Sequence, residues 1–182
     1  MINSFSISDL AVDRPLRIGV LCLEVSGHLH PMFAISRALQ ARGHRVTMVG
    51  SIDGEARVRA AGLDYRSLGS PELPLGTVAL HQQGLSKLSG WKATLYSSGS
   101  IGAYTRILLR DVPPVLEELK LDGLLVDQYI LAGRPIAERI GIPMVNFCGA
   151  MLNVDAYVPP FFSAGNIGAT QSAGRETGLG IG

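Results

Sequence analysis

The chain has 182 residues, of which 47% are hydrophobic and 17% charged, with a formal net charge of +1. That length and composition fit one domain able to bury its own core, and exclude an intrinsically disordered chain. Lys and Arg are scattered rather than striped, so nucleic acid is not an expected partner.

The first fourteen residues form a polar lead containing Asp9 and Asp13. They have neither the basic n-region nor the apolar h-region of a secretory signal, and no run reaches the ~20 apolar residues of a membrane span. Cys22 and Cys148 both sit in apolar runs, which predicts two buried thiols, no disulfide framework and no zinc site. A cytoplasmic, reducing location is the expectation.

Leu16 to Leu23 is an almost unbroken apolar run, as expected for a central parallel strand covered on both faces. A helix follows, with Pro31 in its first turn, an apolar stripe of Leu29, Met32, Phe33, Ile35 and Leu39, and a left-handed stop at Gly43. Arg45 to Val49 predicts a second strand, Asp53 to Ala61 a helix closed by Gly62, and Leu63 to Leu68 a third strand. Strands alternating with single helices imply a parallel sheet, hence an α/β, Rossmann-like doubly wound fold over residues 15–162.

Prolines and glycines interrupt residues 70–100, which read as loop with some helix. Two helices are predicted next, over Ala103 to Leu109 and Pro113 to Lys120, the second capped by Asp111. Gly123 to Asp127 predicts a short buried strand ending in an acid. A helix from about Pro135 to Ile140 and a strand over Ile142 to Cys148 follow. Residues 163–182 are glycine-rich, poor in large apolar side chains, and expected to be a loose tail.

Ligands of open parallel sheets sit beyond the carboxyl ends of the strands, where His28 and Asp127 fall. A carboxylate on one imidazole nitrogen would fix the tautomer and leave the other nitrogen to take a proton from a hydroxyl. Gly27, lacking a Cβ, would let a substrate approach the backbone. Spacing alone equally allows His28 to cap a helix or bond a loop carbonyl, Asp127 to be an N-cap, and His30 to take the place of His28.

The segments Gly27-His28-Leu29-His30-Pro31-Met32 and Leu39-Gln40-Ala41-Arg42-Gly43-His44-Arg45-Val46-Thr47 resemble the opening of the UDP-glycosyltransferases. Val126-Asp127-Gln128, Ala132-Gly133, Ala137-Glu138, Gly141-Ile142-Pro143 and Val158-Pro159-Pro160-Phe161-Phe162 are similar to bacterial zeaxanthin- and macrolide-glucosyltransferase-like members. The resemblance covers roughly residues 16–162 and implies the N-terminal, acceptor-binding half of a GT-B enzyme. It implies His28 as general base, Asp127 as its partner, and His44 as a structural residue at a helix-to-strand turn.

Inverting transfer of a hexose from a UDP-sugar to a hydroxyl of a small apolar acceptor is the implied reaction. No cofactor and no metal are implied, since the sugar nucleotide is a substrate and the chain has no Asp-x-Asp element. Acceptor contacts would come from Gly27, Tyr129, Asn146, Met151, Phe161 and Phe162. The family's nucleotide-binding motif is not found in these residues, so the C-terminal donor-binding domain is expected to be absent, or supplied as a separate partner. The competing expectations are a non-catalytic acceptor-binding subunit and a degenerate fragment. No transmembrane segment is expected, although peripheral membrane contact stays compatible with the sequence.

Overall fold

A computed structural model of the chain describes residues 14–149. In chain order the elements are β1 (Arg17–Leu21), α1 (Ser26–Ala41), β2 (Arg45–Gly50), α2 (Ile52–Ala60), β3 (Asp64–Ser67), α3 (Thr77–Ser86), α4 (Gly90–Leu119), β4 (Gly123–Asp127), α5 (Gly133–Ile140) and β5 (Met144–Phe147). The strands form one five-stranded sheet, β3-β2-β1-β4-β5, in which every pairing is parallel. The predicted Rossmann-like layer is present. The polar lead before Arg14, the tail 163–182, Met151, Phe161 and Phe162 lie outside the described residues.

Successive side chains of a strand point to opposite faces, and both faces of this sheet are covered. On one side Leu21, Val49, Leu124 and Val126 pack with Leu108, Val112 and Leu116 of α4 and Ile136 of α5. On the other Val20, Val46, Met48 and Leu125 pack with Leu29 and Met32 of α1 and Val58 of α2. Two-sided burial explains why the strands read as apolar runs rather than as alternating patterns.

The chain climbs outward from β1 to β3, then returns across the sheet to place β4 on the other side of β1. The order therefore reverses between β1 and β4. A crevice opens there beyond the strands' carboxyl ends, where such folds hold ligands.

Four local expectations are corrected. Helix α1 begins at Ser26, five residues before Pro31, which therefore lies inside it. Pro31 has no N–H to offer the Gly27 carbonyl, but the helix continues because Leu29, Met32 and Ser36 are buried against the sheet. The two helices predicted around Asp111 are one, α4, about 45 Å long at the usual rise. Its prolines 113 and 114 are carried by burial of Val112, Pro113, Val115 and Leu116. Asp111 does not cap it; its carboxylate accepts hydrogen bonds from Arg110 and Ser70. Cys148 is exposed rather than buried, and its thiol donates to the side-chain oxygen of Gln128.

Gly133 shows what close helix-to-sheet packing requires. A Cβ there would stand 2.4 Å from Val126 Cγ1, so α5 could not approach β4 as it does. Gly133→Ala is expected to destabilise the fold by about 1–3 kcal/mol in urea unfolding. Gly27→Ala, whose Cβ would meet nothing within 4 Å in the first turn of α1, is expected to be neutral or to stabilise by up to about 1 kcal/mol.

Candidate active site at the crevice between β1 and β4

The register that pairs Leu21 with Val126 puts Asp127 level with the residue after β1. Alternation then sends the Asp127 side chain to the face of Leu125, the face that carries α1. The first turn of α1 holds His28 above that position. The result is a contact of 2.7 Å between His28 Nδ1 and Asp127 Oδ2.

Asp127 is 2% exposed and is surrounded by donors. Its Oδ1 accepts the Tyr129 N–H at 2.8 Å, tying the turn after β4 to the carboxylate. The Cys22 thiol lies 3.8 Å from Oδ2. Burial, together with the charges of Asp127 and Glu24, pushes the Cys22 thiol far above its ordinary range, so it stays protonated as a donor. His28 Nε2 forms no hydrogen bond among the described residues, and with Nδ1 donating to Asp127 it is left as the ring's acceptor. The ring also meets Tyr129 edge-on, with centroids 4.8 Å apart.

Of the residues singled out from sequence, His28, Asp127 and Tyr129 are brought together. Asp127 holds the imidazole and the turn directly after β4; it does not cap α5, whose N-cap position is Ala132 and has no side-chain cap. His30 is exposed and packs edge-on against Phe33 instead of entering the crevice. His44 Nδ1 accepts the Leu16 N–H at 3.2 Å, a link between the α1–β2 turn and the start of β1. Gly27 is exposed on α1 and makes no tight turn. Asn146 is exposed on β5, paired in register with Val126, and stands apart from the cavity beside Tyr129.

That cavity, of about 480 Å³, has a largely apolar lining from Ala93, Ser97 and Ile101 on α4 and from Tyr129 and Leu131 after β4. Tyr129 is thus both a wall of the cavity and the neighbour of His28. Among the described residues no group of three or more His, Cys, Asp or Glu side chains could hold a metal ion.

The sequence reading passed over Glu24. It follows β1, is 4% exposed, and gathers groups from both faces of the sheet. Glu24 Oε1 accepts the Ser51 N–H at 2.6 Å, and the Tyr104 hydroxyl lies 3.2 Å from Oε2. Arg57 donates to the Glu24 carbonyl, and the Tyr65 hydroxyl donates to the Ser51 carbonyl. Gly50 and Gly54 leave the space for this network, since a Cβ at either would collide with Glu24 or the Tyr65 hydroxyl. The available signal was an acid directly behind an apolar strand. The loop from Glu24 to His28 is thereby fastened at its near end.

Burial raises Glu24 above the usual carboxylate range, against the lowering effect of its hydrogen bonds. As pH rises through the unfolded value of about 4.3, the unfolded chain releases its proton first. Stability then falls until the folded Glu24 has ionised as well. Glu24→Gln is expected to remove this contribution, flattening a fall of up to about 1.4 kcal/mol per pH unit above pH 4.3. Urea unfolding between pH 4 and 7 checks it; parallel pH profiles for the two proteins contradict it.

The chain matches known glycosyltransferases over most of the described region, although no family profile matches it. It is 28% identical over 139 residues to the zeaxanthin glucosyltransferase of Pantoea ananas, covering 72% of this chain and 31% of that protein. It is 28% identical over 136 residues to a sterol 3-beta-glucosyltransferase of Arabidopsis thaliana, covering 71% and 22%. The solved spinosyn rhamnosyltransferase SpnG, complexed with thymidine diphosphate, superposes with a TM-score of 0.57 at 25% identity, over 80% of this chain and 37% of that one. The chain thus spans less than a third of the length of these two curated relatives. The five-stranded parallel sheet and these likenesses make the chain similar, in fold and sequence, to the N-terminal part of GT-B glycosyltransferases.

Proposed function

We propose that this chain is the acceptor-activating half of a glycosyltransferase that moves a hexose from a UDP-sugar to a hydroxyl of a small apolar molecule, with inversion. The observation that carries the reading is the 2.7 Å contact of His28 Nδ1 with the buried Asp127 at the switch point of the sheet, with Nε2 left as the ring's acceptor. Residues 15–162 form the acceptor domain in this reading. A C-terminal half, in the same polypeptide or in a partner subunit, grips the nucleotide.

In the reaction His28 Nε2 takes the proton of the acceptor hydroxyl as its oxygen bonds to the anomeric carbon. The bond from that carbon to the diphosphate oxygen breaks, and the nucleoside diphosphate leaves with the electron pair. Asp127 holds the ring and stabilises the imidazolium. The apolar cavity beside Tyr129 supports an apolar acceptor, and the names of the zeaxanthin and sterol relatives point the same way. Of the proposed acceptor contacts, Tyr129 has the most direct support; Gly27, Asn146, Met151 and Phe161 rest on the sequence resemblance. The protonated Cys22 thiol, buried beside Asp127, accords with a cytoplasmic setting.

The test is sugar transfer measured on the native polypeptide that carries this chain. His28→Ala is expected to lower kcat by about 10²–10⁴-fold with little change in acceptor KM. Asp127→Asn is expected to lower kcat comparably, because the ring loses its acceptor on the Nδ1 side. The double variant should be no slower than His28→Ala alone, since the two act as a unit. Transfer retained by His28→Ala rejects the general-base assignment.

A further inference from the structure

The segment from Thr77 to Ser100 contains no buried residue. It comprises α3 and the first part of α4, which pack on each other through the stacked rings of His81 and Tyr96, 5.1 Å apart, and through the close approach of Gly84 to Tyr96. Its base is tied down. Asp53 accepts the N–H groups of Gly76 and Val78, and Arg110 grips Glu72 with two hydrogen bonds. Beyond that base the pair of helices forms an arm whose inner α4 face, through Ala93, Ser97 and Ile101, walls the cavity beside Tyr129.

The arm exposes large apolar side chains that no part of the described fold covers. Leu80 on α3 is 68% exposed, and on α4 Trp91 is 71% and Leu95 64% exposed. Trp91 and Leu95 are four residues apart and so share one helix face. The charge on the arm has a single sign. Between Glu72 and Asp111 the sequence has no acidic residue, while Lys87 and Lys92 flank the turn into α4 and Arg106 follows on the same helix. These three form no ion pair among the described residues. Exposed Trp and Leu beside unpaired basic side chains on a helix are what an anionic bilayer surface takes up. No helix among the described residues is long and apolar enough to cross a membrane.

We propose that the α3–α4 arm is a membrane-docking element, which seats Leu80, Trp91 and Leu95 in the headgroup region of an anionic bilayer while Lys87 and Lys92 meet the lipid phosphates. The proposal concerns binding and stands whether or not His28 is a general base. The sole tryptophan of the chain lies in the patch, so its emission reports directly on the contact.

The experiment adds vesicles of phosphatidylcholine, with or without 30% phosphatidylglycerol, to the full chain and follows Trp91 emission and flotation. A blue shift with the anionic vesicles is expected, with binding at least about tenfold tighter than to neutral ones, because each basic side chain near the surface contributes roughly fivefold. Leu80→Asp with Leu95→Asp should abolish flotation. Lys87→Gln with Lys92→Gln should erase most of the preference for anionic lipid. All four sites are exposed, and unchanged circular dichroism confirms that the variants fold. No shift with anionic vesicles, or equal binding to neutral ones, overturns the proposal. So does a Trp91 that is already blue-shifted and shielded from acrylamide without lipid, since another part of the polypeptide or a second copy then covers the arm.

Discussion

Everything at the crevice depends on β1 being paired on both edges, to β2 on one side and to β4 on the other. The first pairing comes from a local β-α-β unit. The second joins strands separated by some hundred residues, and its register decides which side chain stands at the end of β4 beside α1. A shift of one residue would turn Asp127 to the opposite face of the sheet and leave His28 without its carboxylate. That register is held by the two-sided burial of Leu124, Leu125 and Val126, and by the Asp122 carboxylate accepting the Arg17 N–H at 2.8 Å at the entry to β1.

The same end of the sheet carries an unusual density of buried polar groups. Asp127, Glu24, Ser51 and the hydroxyls of Tyr65 and Tyr104 lie together within an otherwise apolar interior. Burial and the neighbouring Glu24 charge push the Tyr104 phenol well above its ordinary value, so it remains a donor. Such networks are costly when half satisfied and confer rigidity when complete. Here the carboxylates are matched to backbone N–H groups, hydroxyls and an imidazole, which fixes the loop between β1 and α1 from both ends.

Much of the fold was legible in the sequence because its determinants are local. Apolar runs covered on both faces mark β1, β2 and β4, and glycines with positive φ at 43, 62 and 141 end segments where the pattern stops. Pro31, Pro113 and Pro114 misled for a shared reason: proline marks a helix start by local rules, whereas here burial of the flanking side chains carries the helix through. Cys148 read as buried from its apolar neighbours, but edge strand β5 exposes Val145, Asn146 and the cysteine. His28 and Asp127 could be named from strand ends, yet the choice between His28 and His30 needed the helix phase. Glu24 was hidden because its partners come from α2, β3 and α4, whose convergence no local pattern records.

The link between His28 and Asp127 closes a loop of 99 residues. In kinetic terms this is a contact of high sequence separation, and its entropic cost is met only when β4 docks beside β1. A folding intermediate made of the first three strands would carry the histidine in place but with an unpaired ring. The His28–Asp127 pair is therefore completed only by the closing of the sheet.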